Sequence, residues 1–109
     1  MKILILEDNL IWSGRLRQAL RALGHDFEFV SEMPIEPSGD VAIINLSSRR
    51  LSPFDAIRKL REEGILVVGH AGHKEKELWE RGREAGCSRI VSNSEMTFKL
   101  ESVLAELAP

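Results

Sequence analysis

Three short runs of uninterrupted apolar residues constrain this chain more than any other feature. They are Ile-Leu-Ile-Leu at 3–6, Val-Ala-Ile-Ile at 41–44 and Ile-Leu-Val-Val at 65–68. Four residues are too few for a stable helix, and the lack of polar alternation means that neither side of such a strand meets water. A strand buried on both faces needs a layer above and a layer below, and the intervening sequence can supply them. From Leu10 the apolar residues Leu10, Ile11, Leu16, Leu20 and Leu23 recur at helical spacing, with Arg15, Arg17, Gln18 and Arg21 largely on the other face. Asp8 or Asn9 can cap that helix, and Gly24 stops it.

The same alternation continues to the end. Phe27 to Val30 reads as a second strand, and residues 31–39, with two prolines, as a loop. Pro53 suits a first helical turn, followed by the stripe Phe54, Ile57 and Leu60, with Gly64 as its end. After the strand at 65–68, residues 69–72 (Gly-His-Ala-Gly) read as a loop. A helix is expected from about His73 to Ala85, anchored by Leu78 and Trp79, with Gly86 at its C-cap. Residues 89–91 give a short fifth strand. Ser94 caps a last helix whose apolar positions are Phe98, Leu100, Val103, Leu104 and Leu107. Apolar strands alternating with amphipathic helices predict a parallel sheet with right-handed crossovers and helices on both faces. Chemistry in such sheets belongs at the carboxyl ends of the strands. The positions that matter are therefore Glu7 and Asp8, Asn45, residues 69–72, and Ser92 and Asn93.

Size and charge narrow the function. At 109 residues the chain is expected to be one domain, residues 1–109, with a core that needs no metal or disulfide staple. A net charge of −2 gives no field that would draw it to nucleic acid or an acidic membrane. Cys87 is the only cysteine, so no internal disulfide is available, and a reducing cytoplasm is expected. The N-terminal apolar run meets two acids after four residues and is neither a signal peptide nor a membrane span.

The opening Lys2-Ile3-Leu4-Ile5-Leu6-Glu7-Asp8-Asn9 resembles the start of CheY-like response-regulator receiver domains. Asp40-Val41-Ala42-Ile43-Ile44 resembles their lead into the third strand, and Glu84-Ala85-Gly86-Cys87-Ser88 their turn into the fifth. The resemblance covers the whole chain in order and length. It implies a flavodoxin-like, doubly wound five-stranded sheet of order 2-1-3-4-5 and a role in two-component signalling. It also implies a site. The acidic pair helps bind Mg²⁺, an Asp after the third strand accepts a phosphoryl group, and a Ser or Thr after the fourth and a Lys after the fifth contact the phosphate. A carboxylate suits the nucleophile, and a hard cation neutralises the developing charge.

Carried over residue by residue, the match breaks. Glu7 and Asp8 fit the acidic pair, but the acceptor position falls on Asn45, whose carboxamide cannot form an acyl phosphate. The hydroxyl position falls on or next to His70 and the lysine position near Asn93, while Lys99 lies too far along to replace it. Cation binding at Glu7 and Asp8 is then expected to be weak or lost. No other cofactor is implied, residual Mg²⁺ being the one candidate. The crossover between the second and third strands is also too short for the family's helix. Met33 and Ile35 are expected to plug that gap, and part of one sheet face is expected to be thinly covered.

The leading expectation is therefore a phosphorylation-incompetent pseudo-receiver: a binding module, not an enzyme, acting on a protein partner or by self-association as a dimer. By resemblance, the region from His73 to Leu107 is the interface, with Arg81, Arg83, Glu84, Lys99 and Glu101 supplying charge and Trp12 a docking aromatic near the pocket. Two other readings stay open. One is a receiver-like switch driven by a metal, an anion or pH through His70. The other is a small enzyme using His70 with Glu7 or Asp8 as acid and base, which requires hydrogen-bond reach between them and an adjoining cavity. For His70 and His73 a metal role competes with a plain loop role, without a third ligand at a recognisable spacing. Direct nucleic-acid binding through the arginines of the first helix and Arg49-Arg50 is not expected at this net charge. Cys87 reads as a packed thiol.

Overall fold

The structure, a computed structural model, describes residues 1–107. Five strands form one parallel sheet in the order β2-β1-β3-β4-β5: β1 (Lys2–Leu6), β2 (Asp26–Val30), β3 (Val41–Asn45), β4 (Leu66–Ala71) and β5 (Arg89–Ser92). The helices are α1 (Leu10–Leu23), α2 (Pro53–Glu62), α3 (Lys76–Ala85), α4 (Asn93–Phe98) and α5 (Leu100–Ala105). The parallel sheet is the one that the alternating pattern predicts, and its strand order is the one that the resemblance implies.

Strand parity sorts the core into two layers. Leu4, Leu6, Ala42, Ile44 and Val67 pack against Ile57, Leu60 and Ala85 of α2 and α3 on one face. Ile3, Ile5, Val41, Ile43, Val68 and Val91 pack against Leu16 and Leu20 of α1 and against Met96, Leu100, Val103 and Leu104 on the other. The apolar runs at 3–6 and 41–44 are wholly buried because each of their faces has a helix layer. At Gly69 a side chain is excluded: a Cβ there would lie 2.9 Å from a Leu46 methyl and 3.0 Å from Cys87 Sγ.

Local signals are mostly obeyed. The Asn9 side-chain oxygen accepts the amide N–H groups of Ile11 (3.0 Å) and Trp12 (3.2 Å), so Asn9, not Asp8, caps α1. Gly24 closes α1 at φ 74°, a conformation that carries no Cβ penalty in glycine. Pro53 opens α2, and Gly86 ends α3.

Several expectations fail. Leu10 and Ile11 are 88% and 65% exposed, since the first turn of α1 projects past the sheet, where no element covers it. Phe98 is 79% exposed at the end of α4. The last helix is capped by Ser92 instead of Ser94. Glu95 stands at the third helical position, and the two residues bond each other's backbone in a reciprocal box. That helix is also broken at Lys99, whose φ is −127°. Strand β4 runs on through Ala71, because His70 pairs in register with Asn45 on one side and Val91 on the other. The residues read as a loop, Gly69, His70 and Ala71, are strand. Helix α3 starts at Lys76 rather than His73.

The crossover from β2 to β3 contains no helix. Pro37 is buried, and Lys2 holds the segment through its N–H to the Asp40 carboxylate (2.7 Å) and its ammonium to Ser38 (3.0 Å). Met33 packs against the core, whereas Ile35 is 91% exposed and plugs nothing. On this face β2 presents Asp26, Glu28 and Val30, in register with Lys2, Leu4 and Leu6. Asp26 and Glu28 are exposed, so the thinly covered flank is acidic and not apolar.

Candidate functional site

Three strands end in polar residues that continue the parity of the α1-side layer: Glu7 after Ile3 and Ile5, Asn45 after Val41 and Ile43, and His70 after Val68. The alternation that buries isoleucine and valine lower in the sheet buries these groups at its carboxyl end. Glu7 is 6% exposed, Asn45 5% and His70 1%. Buried groups of this polarity are tolerated only when each finds a partner.

They find each other. His70 donates from Nε2 to Glu7 Oε1 at 2.8 Å. The Asn45 side-chain amide donates to Glu7 Oε2 at 2.8 Å, and the Asn9 N–H reaches the same oxygen at 3.3 Å. His70 Nδ1 lies 2.6 Å from Oδ1 of Asn93, the first residue of α4. Asn45 Oδ1 accepts the N–H (3.0 Å) and hydroxyl (2.7 Å) of Ser47. Beside them the Ser48 hydroxyl donates to Asp8 Oδ2 at 2.7 Å. Trp12 meets the His70 ring edge-on, with centroids 6.4 Å apart, and carries the Arg15 guanidinium 5.2 Å above its own ring.

Glu7, Asp8, Asn45, His70 and Asn93, singled out from the sequence, thus occupy one place. Ser47 and Ser48 were missed. The available signal was their position, two and three residues past a strand end on the ligand side of the sheet. Asp8 was expected to double as a helix cap and instead receives Ser48.

Magnesium does not fit these residues. A hard cation needs free oxygen lone pairs in octahedral array. Both oxygens of Glu7 are faced by N–H donors, and the Oδ2 of Asp8 is engaged by a hydroxyl. Among the described residues no three His, Cys, Asp or Glu side chains are grouped to hold a metal ion. His73, weighed as a second histidine ligand, is exposed and starts no helix. The acid–base geometry is present, since His70 reaches Glu7, but the pair is sealed from solvent and lines neither of the clefts found beside α3.

The interface candidates do not form one patch. Arg81 stacks on Phe54, 4.1 Å from the ring centroid, in a cleft of about 630 Å³ between α2 and α3. Arg83 lines a second cleft of about 570 Å³ with Trp79, Ser92 and Glu95. Glu84, Lys99 and Glu101 are exposed, and Trp12 is half-buried at the pocket. Cys87 is packed as expected, and burial pushes its thiol up to about 12 from an ordinary 9.0, against the opposing pull of the Gly69 backbone and Arg61.

No family model and no curated protein sequence matches this chain. Solved structures do. Chemotaxis response regulator CheY4 of Vibrio cholerae superposes with a TM-score of 0.83 at 14% identity, over 98% of each chain. A receiver domain of a sensor histidine kinase from Pseudomonas aeruginosa, solved with magnesium in its active-site cleft, gives 0.83 at 17% identity, over 97% of this chain and 95% of that one. The receiver domain of NtrX from Brucella abortus gives 0.81 at 15% identity, over 96% of each. The chain has the receiver-domain fold of two-component signalling proteins.

Proposed function

We propose that this chain is a receiver-like signalling module that acts by protein–protein contact, without phosphorylation and without catalysis. The observation that carries the reading is Asn45. It stands at the end of β3, where the receiver fold places its phosphoryl acceptor. It is buried, and its amide is committed to Glu7. A carboxamide is too weak a nucleophile to take a phosphoryl group, and its product would not be the acyl phosphate on which such a switch depends. The sealing of His70 and Glu7 favours a binding module over an acid–base enzyme, because no substrate can come between them.

On this reading the output is a fixed surface, offered to a partner protein or to a second copy, in the cytoplasm. No helix among the described residues is long and apolar enough to cross a membrane. Incubation with acetyl phosphate and Mg²⁺, followed by intact-mass analysis and hydroxylamine treatment, tests the central claim. No added phosphoryl mass is expected. A stable, hydroxylamine-sensitive adduct at any aspartate of the wild-type chain would sink it. Sedimentation of the pure chain across concentration separates self-association from dependence on another protein.

A further inference from the structure

We infer that His70 stands where a cation would otherwise sit. The Glu7–His70–Asn93 bridge, and not the carboxamide at Asn45, is what closes the acidic pair to divalent metals. The bridge also fixes β1, β4 and the start of α4 in one arrangement. The inference goes beyond the loss of phosphorylation, because a domain without an acceptor could still bind metal.

The two substitutions differ in what they forbid. A carboxamide oxygen is an ordinary ligand for Mg²⁺ or Ca²⁺. Asn45 Oδ1 is engaged only by Ser47, whose side chain is on the surface and can give way. Asn45 does set an N–H 2.8 Å from Glu7 Oε2, but turning its amide over would present an oxygen there instead, so Asn45 lowers the charge of the pocket without abolishing a coordination position. His70 is different. Its Nε2 rests 2.8 Å from Glu7 Oε1, whereas a magnesium ion would need to approach that oxygen to about 2.1 Å with its own waters around it. The imidazole fills that space.

The ring also cannot swing aside as a loop residue could. His70 is a strand residue paired on both sides, with Asn45 and Val91. Its peptide oxygen accepts the Leu46 N–H at 2.9 Å. Trp12 packs against the ring edge, Asn93 holds the far nitrogen, and the side chain is 1% exposed. Asn93 in turn opens α4, directly after the Ser92–Glu95 box. The bridge thus runs without interruption from the end of β1, through β4, to the first residue of the α4 face.

Manganese provides a direct probe, through paramagnetic broadening of backbone amide signals in the intact chain. Wild type and N45D are both expected to show no selective broadening around Glu7 and Asp8 up to about 10 mM, tenfold above a millimolar Kd. H70S, and H70S/N45D more strongly, are expected to gain EDTA-reversible broadening there. N93A is expected still to refuse Mn²⁺ while amide exchange across residues 93–98 quickens by about tenfold. Binding by wild type, or binding by N45D alone, overturns the inference, and both arms can be read even if H70S fails to fold. A folded H70S that gains nothing also overturns it. Acetyl phosphate labelling of wild type would instead defeat the proposed function and leave the bridge intact.

Discussion

Two regions of this molecule lack something the receiver fold ordinarily has, and they handle the lack in opposite ways. At the carboxyl end of the sheet Asn45 and His70 stand where the resemblance implies an acceptor carboxylate and a hydroxyl, and the buried side chains there bond one another. At the β2 flank the crossover carries no helix, and little beyond Met33 and Pro37 packs inward from it. The strand face turns acidic instead, with Asp26 and Glu28 in water. The difference follows from solvent access. A buried vacancy leaves charged and amide groups unsatisfied at several kcal/mol each, so it must be closed by hydrogen bonding. A vacancy at the surface can simply be hydrated, provided that the exposed residues are polar.

The comparison can be broken most forcefully at His70. H70A leaves the Glu7 carboxylate buried without its principal donor, and a loss of about 3–5 kcal/mol in urea unfolding is expected. A loss below about 1 kcal/mol would mean that water enters the pocket readily and that the filling is incidental. N45D comes next. It sets a second carboxylate against Glu7 Oε2, where an amide now donates at 2.8 Å, and a loss of about 2 kcal/mol at neutral pH is expected. That deficit should shrink as pH falls, because repulsion between two neighbouring carboxylates favours protonation of one of them. No change with pH would place the pair in contact with solvent.

Cys87 extends the test to the apolar side of the buried region. Its thiol is held neutral by burial, with a folded value of about 12 against 9.0. The stabilisation is complete below pH 9 and is lost as pH rises from 9 toward 12, because the unfolded chain ionises first. Between those limits wild type should lose about 1.4 kcal/mol per pH unit relative to C87A. Parallel curves for the two proteins would show that the thiol is solvated.

The smallest effect belongs to the flank. E28V should change stability by no more than about 0.5 kcal/mol, since nothing packs there to reward an apolar side chain. The same change should promote association at high concentration, measurable by sedimentation, because it creates an uncovered apolar strip on an edge strand. A gain of more than about 1 kcal/mol would mean that the crossover segment covers this face after all.

The sequence disclosed the parts of the molecule that periodicity governs. Runs of four apolar residues required two helix layers, and Asn9, Gly24, Pro53 and Gly86 sit at helix ends for local reasons that need no tertiary knowledge. Periodicity says which residues share a face, not whether anything lies opposite. Leu10, Ile11, Ile35 and Phe98 were therefore given partners that the fold does not supply. The pocket was legible as a set of positions, since strand ends converge in any sheet of this kind. Its wiring was not. That Ser48 answers Asp8 and that His70 joins Asn93 to Glu7 depend on pairings between residues 23 to 63 positions apart, whereas the cap at Ser92 rests on a local Ser-x-x-Glu signal that a cap at Ser94 overlooks. Single-chain patterns carry no register information at that range.

The mutual satisfaction of Glu7, Asn45, His70 and Asn93 has a consequence for how a cell could use such a domain. A switch carries information in the ratio of two states, and an enzyme upstream rewrites that ratio in seconds. On the function proposed above, a pocket whose buried groups satisfy one another offers a single state, and there is no ratio to rewrite. The variable left is the number of copies, and a signal built on this chain would be set by synthesis and proteolysis, tracking gene dosage and half-life instead of kinase flux.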